Sequence, residues 1–257
     1  MADIHQTAIV DSKAEIDDNV KVGPFTIIEG PVKLYSAVEV GSHALITGDT
    51  SIGENCRIHH GAVVGTLPQD LKFGGEETRV EIGANTTIRE YVTVNRGTEE
   101  SGYTSVGDNC LLMAYSHVAH DCHIGDNVIL ANGVQMAGHV HIQDYAIVGG
   151  LVAIHQFVTV GAHCMIGGGY RIPKDVCPYA LVGGYPVTIK TLNLTGLMRR
   201  GFSAETIQNI KKAYKILFNS PYNTSDAVKK IRDELPQTEE INNILTFIAN
   251  SRRGLIK

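Results

Sequence analysis

Residues 106–130 read Val106-Gly-Asp-Asn-Cys110-Leu-Leu112-Met-Ala-Tyr-Ser116-His-Val118-Ala-His-Asp-Cys122-His-Ile124-Gly-Asp-Asn-Val128-Ile-Leu130. An aliphatic residue stands at every sixth place: Val106, Leu112, Val118, Ile124 and Leu130. Four residues after each comes a second, smaller column, here Cys110, Ser116, Cys122 and Val128, and glycine often follows the aliphatic residue directly, as at Gly107 and Gly125. Neither the 3.6-residue period of a helix nor plain two-residue alternation generates a six-residue period, whereas short strands separated by regular bends do. Three such strands per turn make an 18-residue triangular coil. Successive coils stack at the strand spacing of about 4.8 Å and bury each other's aliphatic columns. The glycines read as corner residues, where the backbone turns sharply.

The same register runs outward in both directions, from Val10 to Ile172. It is interrupted twice, between Val64 and Ile82 and between Val94 and Val106, and both gaps are multiples of six. The stretches at about 65–79 and 95–103 are rich in Gly and polar residues. They read as loops thrown out from a regular coil, which is where binding groups collect. Four of the five cysteines, Cys56, Cys110, Cys122 and Cys164, fall in the small column and read as core fillers, and no C-x-x-C spacing suggests a metal.

The pattern stops after Ile172 among Pro173, Pro178 and Pro186. From Ser203, a suitable N-cap, Ile207, Ile210, Tyr214, Leu217 and Phe218 recur at helical spacing, and Val228/Ile231/Leu235 and Ile241/Ile244/Leu245/Ile248 mark two more helices. The expected organisation is mainly β: a parallel β-helix over residues 1–186 with an α-helical domain over 187–257 covering one end.

The net charge of −5 excludes whole-protein attraction to nucleic acid or an acidic membrane. The charge is uneven, however: 12 of the 22 basic residues lie from Lys190 onward, so an acidic partner would dock there. Gly, His, Asn and Gln recur too often in the weakly charged stretch 129–170 for a membrane span. No signal-peptide pattern opens the chain, so a cytoplasmic location is expected.

Histidines concentrate where the coil arithmetic brings them together. His117, His120, Asp121 and His123 lie on one coil, and adding 18 sets Gly138 and then Gln156 above His120, and His139 above Asp121. Imidazole is the side chain best poised to take a proton near neutral pH, and a carboxylate can hold its tautomer. Neighbouring strand residues point to opposite sides, so His120 and Asp121 cooperate only if a bend intervenes. His123 and His141 read as solvated.

The hexads, the loop motif Gln69-Asp70-Leu71-Lys72, the segment His117-Val-Ala-His-Asp-Cys122, Ala137-Gly-His139, His155-Gln-Phe157 and Gly196-Leu-Met-Arg-Arg-Gly-Phe-Ser203 together resemble the UDP-N-acetylglucosamine 3-O-acyltransferase family, which opens lipid A synthesis. The match covers nearly the whole chain. The resemblance implies a left-handed coil, a homotrimer with sites between neighbouring solenoids, and a 3-hydroxyacyl donor on the phosphopantetheine of acyl carrier protein. No other cofactor and no metal is implied. His120 would be the general base, Asp121 its orienting carboxylate, and the Gly138 amide the oxyanion donor. Gln69, Asp70, Lys72, His117 and His139 match sugar-nucleotide or pantetheine contacts; Gln156, Asn193 and Arg199 match nucleotide-side positions, where arginine suits a diphosphate, and His155 and Arg200 match further substrate-binding positions. Acyl carrier protein is acidic, in keeping with the basic tail.

Two departures stand out. Arg171 falls where some relatives carry a small residue at the floor of the acyl groove, which implies a shorter acyl chain. Thr66-Leu67-Pro68 differs from the form that precedes Gln69 in some members, which leaves a 3-hydroxyl or a 3-amino acceptor open. Other readings of the same residues are a related hexapeptide-repeat acyltransferase, a zinc carbonic anhydrase using His117, His120 and His139, or a non-catalytic binding solenoid.

Overall fold

In the computed structural model, which describes all 257 residues, the expected coil is present as three sheets of eleven, nine and eight very short strands, parallel throughout except for the last strand of the first sheet. It is a left-handed parallel β-helix. A two-residue strand such as His117–Val118 presents one side chain outward and one inward, and the inward residue is the aliphatic one of the hexad. Ile28, Ile46, Ile58, Ile88, Leu112, Leu130 and Ile142 are accordingly almost fully buried, and Cys56, Cys110, Cys122 and Cys164 fill the smaller column beside them. Parallel pairing at 18 residues joins His117 to Gln135 and His123 to His141. Across the first excursion the offset widens to 30, as in Val63 with Thr93, and across the second to 24, as in Ile82 with Val106. The excursions therefore add twelve and six residues to otherwise uniform coils.

The corners differ from the sequence reading. The left-handed backbone is carried three residues after the aliphatic position and mostly by residues other than glycine: Asn55, Asn85, Asn109, Tyr115, Asp121, Asn127, His139 and Phe157 all have φ between 55° and 63°. Asn and Asp tolerate this region best, which accounts for many of them. The glycine directly after the aliphatic residue serves close approach instead. A Cβ on Gly125 would lie 2.1 Å from Oδ1 of Asp144, the carboxylate that accepts the Asp126 amide at 2.9 Å.

The strands also run beyond the Val10–Ile172 hexad register. Strand Asp3–Ile4 begins the solenoid, and after Ile172 the strands Ala180–Gly183 and Thr188–Leu192 form an antiparallel hairpin on the first sheet. The division at residue 186 falls within this hairpin; three prolines break the hexad period there, so the pattern gives no sign of it. Helix α1 (Leu194–Arg199) is too short to show a period. Helices α2 (Ala204–Phe218), α3 (Thr224–Glu234) and α4 (Glu239–Asn250) follow, capped by Ser203, Asn223 and Thr238. Their apolar faces join the solenoid core at its C-terminal end, where Tyr214 donates to the Cys177 carbonyl at 3.1 Å. No helix is long and apolar enough to cross a membrane.

Candidate active site

The two excursions leave the coil at the same corner, between the second and third sheets, and face a column of three stacked turn residues: Asp121, His139 and Phe157. His139 lies flat on Phe157, with ring centroids 4.5 Å apart and planes within 5°, and packs edge-on to His120 at 5.0 Å. The bend required for His120 and Asp121 to meet is the left-handed turn at Asp121, where φ is 57°. There the His120 Nδ1 and Asp121 Oδ2 are 2.8 Å apart.

Asp121 is 1% exposed. Burial by itself would raise its carboxyl, but hydrogen bonds from His120, Ser101 and Thr98 outweigh it and hold the group well below the usual carboxylate range. An ionised Asp121 can only accept, so His120 donates through Nδ1 and, when neutral, keeps the lone pair on Nε2. That nitrogen lies beside Gly138: a Cβ there would sit 2.5 Å from His120 Cε1 and 2.6 Å from Nε2. Glycine is thus the one residue that admits the imidazole. The Gly138 N–H makes no hydrogen bond within the protein.

Around this pair opens a cavity of about 930 Å³, lined by Gln69, Asp70 and Lys72 from the first excursion and by His117, His120, Gly138, His139 and Gln156 from the coil. Eight of the residues expected in the site therefore converge. Asp70 shapes its loop by accepting the Lys72 amide at 3.0 Å. His117 shares a hydrogen bond with Thr93 at 2.7 Å, and its burial, helped by the His120 charge, lowers its proton affinity. Asp121 and His139 also border a second cavity of about 820 Å³ on the outer face of the third sheet.

Four expected residues lie elsewhere in the chain, and a fifth lies beside the site. His155 is drawn to the C-terminal tail, 3.2 Å from an Arg253 guanidinium nitrogen. Arg171 stands on the outer face of the second sheet in the column His117, Gln135, Ala153, Arg171, three strand spacings or roughly 14 Å from His117. Asn193 and Arg200 occupy the corner between the third and first sheets, one face away. Asn193 is buried, donating to the His163 carbonyl at 2.9 Å and capping α1 through the Gly196 amide. Arg200 lies over the Tyr145 ring, 3.4 Å from His163, whose pKa burial and then the Arg200 charge bring down to about 4. Arg199 is exposed nearby.

Metal-ligand atoms of His120, Asp121 and His139 lie within 4.8 Å of one another, whereas His117 is outside that group. The three-nitrogen set considered for zinc does not assemble in one chain. The sequence reading missed Thr98 and Ser101, the hydroxyls on the second excursion that reach Asp121; the polar excursion was visible, but not which carboxylate it folds onto.

The C-terminal part, residues 175–256, matches the family model described as UDP N-acetylglucosamine O-acyltransferase, domain 2, and residues 103–138 match the bacterial transferase hexapeptide model. An acyl-[acyl-carrier-protein]–UDP-N-acetylglucosamine O-acyltransferase of Thermodesulfovibrio yellowstonii is 48% identical over the full length of both chains, and one of a Sulfurihydrogenibium species is 52% identical over 99% of this chain and 94% of its own. The solved UDP-N-acetylglucosamine acyltransferase of Bacteroides fragilis superposes with a TM-score of 0.95 at 45% identity, covering 98% of this chain and 99% of that one. That of Francisella novicida does so with 0.95 at 39%, covering 98% and 93%. With close to half of its residues identical to these relatives over essentially its whole length and the same fold as the solved ones, the chain belongs to the UDP-N-acetylglucosamine O-acyltransferase family.

Proposed function

We propose that the protein transfers a 3-hydroxyacyl group from the phosphopantetheine thioester of acyl carrier protein to the 3-hydroxyl of UDP-N-acetylglucosamine, the first step of lipid A synthesis. The observation that carries the mechanism is the His120–Asp121 pair at 2.8 Å, with Nε2 turned to a cavity floored by a glycine whose N–H is unused.

Nε2 removes the proton from the sugar hydroxyl as its oxygen attacks the thioester carbonyl, and Asp121 stabilises the imidazolium that forms. The negative charge that gathers on the carbonyl oxygen is taken by the Gly138 N–H, the kind of preorganised donor whose removal costs roughly 10²–10³ in rate. Collapse forms the ester and breaks the carbon–sulfur bond. The pantetheine thiolate then takes the proton from His120, which returns to its neutral form. Gln69, Asp70, Lys72, His117, His139 and Gln156 line the cavity where sugar and pantetheine would lie.

Asn193, Arg199 and Arg200 lie a full sheet face from this cavity, so in one chain they cannot close over the nucleotide. A homotrimer resolves this if the corner of one copy meets the cavity of the next. The fully exposed Leu71 at the tip of the first excursion fits such a contact. Lys190, Lys211, Lys215 and Lys257 gather between the hairpin and α2 and form no ion pair within the chain, which suits an acidic carrier protein. An acyl carrier protein and a UDP-sugar as substrates suit a cytoplasmic enzyme.

The test is His120→Ala, assayed with UDP-N-acetylglucosamine and a ladder of 3-hydroxyacyl carrier thioesters, with products identified by mass spectrometry. Turnover falls by several orders of magnitude while calorimetry still detects UDP-sugar binding. Near-normal turnover would remove His120 from the role of base.

A further inference from the structure

We propose that Thr98 and Ser101, on the second excursion, are positioning residues for the acyl transfer, fixing the Asp121 carboxylate so that His120 holds its Nδ1 proton and presents Nε2. This inference rests on the general-base reading of His120.

The Asp121 carboxylate receives four hydrogen bonds, two on each oxygen. Oδ1 accepts from the Thr98 amide at 2.9 Å and the Ser101 hydroxyl at 2.5 Å. Oδ2 accepts from the Thr98 hydroxyl at 2.7 Å and from His120 at 2.8 Å. Three of the four donors thus come from one short segment, and that segment belongs to the excursion by which the strand offset exceeds 18 residues. The coil would close without it. His139 and Phe157, at the same corner one and two coils on, receive no hydrogen bond from the excursion. Glu100, between Thr98 and Ser101, brings its carboxylate to 3.7 Å from His139 Nε2, while Asp121 Oδ2 is 3.7 Å from His139 Nδ1.

A carboxylate this deeply buried is costly unless its lone pairs are satisfied. With the imidazole as sole donor, Asp121 would bind the His120 proton more strongly and would be free to turn away from it. Three further donors spread the negative charge and lock the plane of the group. Without them the imidazolium is stabilised relative to the neutral base, so more of the enzyme carries a protonated, inactive His120 at a given pH. The other titratable groups facing the pair are His117, His123, His139 and Glu100, with Asp70, Lys72, Glu76 and Glu99 lining the cavity onto which His120 opens, and none is altered by changing the two hydroxyls.

Full-length Thr98→Val, Ser101→Ala, their combination and Thr98→Ser are compared by steady-state acyl transfer from pH 5.5 to 9, each also in an Asp121→Asn background. The combined variant is expected to lose about 10- to 100-fold in kcat, within the usual range for acid–base assistance. KM for UDP-sugar stays within about twofold, as for a group acting in the transition state, and the acid limb of kcat/KM moves to higher pH. Thr98→Ser, which keeps the hydroxyl, restores the parent behaviour. In the Asp121→Asn background the same changes add less than about twofold, because residues acting through one partner are non-additive.

Wild-type kcat and an unmoved acid limb would overturn the inference. So would full additivity with Asp121→Asn, or a raised KM with an unmoved limb, which would make the segment a substrate-binding loop. If the combined variant loses its fold, Ser101→Ala and Thr98→Val carry the same comparison individually. A dead His120→Ala beside a normal combined variant refutes this inference alone, whereas an active His120→Ala refutes the base assignment.

Discussion

Replacing Gly138 by alanine adds one methyl group at the most crowded point of the site. The new Cβ would stand 2.5 Å from His120 Cε1 and 2.6 Å from Nε2, against the 3.4 Å at which ordinary contact begins. The shortfall is about 0.9 Å, and the ring has little freedom to absorb it. Its Nδ1 is tied to a carboxylate that is itself held by Thr98 and Ser101, and its edge packs on His139. The imidazole must therefore tilt out of line with Asp121 or be pushed into the space for the sugar hydroxyl. A displacement of about 1 Å at a reacting group costs on the order of 10²-fold in rate. Gly138→Ala should accordingly reduce kcat by about two orders of magnitude, equivalent to about 2.7 kcal/mol of transition-state stabilisation. UDP-sugar affinity by calorimetry should hold, since the ring moves and the nucleotide contacts do not. A Gly138→Ala enzyme within threefold of the parent kcat would show that His120 yields freely and that the tight contact has no catalytic meaning.

Other outcomes follow from the same geometry. Because hydrogen bonding depresses the carboxyl of Asp121 in the folded protein, its contribution to stability is fully present above the unfolded-chain value near 4 and is lost as pH falls toward the folded value. In denaturant titrations, the stability difference between wild type and Asp121→Asn should shrink as pH drops below about 4, and a constant difference would contradict this. Burial pushes the thiols of Cys56 and Cys110 up to about 11 and those of Cys122 and Cys177 up to about 12, so none of the five cysteines should react with a thiol reagent at pH 8 until the protein unfolds. Rapid labelling of the native protein, read by mass spectrometry, would show the coil to be open. Dialysis against a chelator should leave acyl transfer unchanged; loss of activity restored by zinc would favour a metal at His120, Asp121 and His139.

The hexad carried most of the architecture in the sequence, because in a coil of identical turns the inward residue recurs at a fixed interval and burial demands that it be aliphatic. The interval also served as a ruler: it set Gly138 over His120 and His139 over Asp121 across one coil, and both alignments hold in three dimensions. It failed where periodicity ends. The hairpin at 180–192 and helix α1 left no period to read, and the turn-forming role expected of glycines such as Gly125 belongs to residues such as Asp121 and His139.

What the sequence by itself determined, then, is the coil, its interruptions and the one corner where histidines gather. What only the tertiary structure decided is which groups meet across the excursions. Whether Thr98 and Ser101 face solvent or Asp121, and whether Asn193 and Arg200 reach the cavity or a different corner, depends on how an irregular loop and an end-cap fold back on the coil. Those paths are set by buried hydrogen bonds between residues distant in sequence, such as Thr98 with Asp121 and Asn193 with His163, which leave no period behind them.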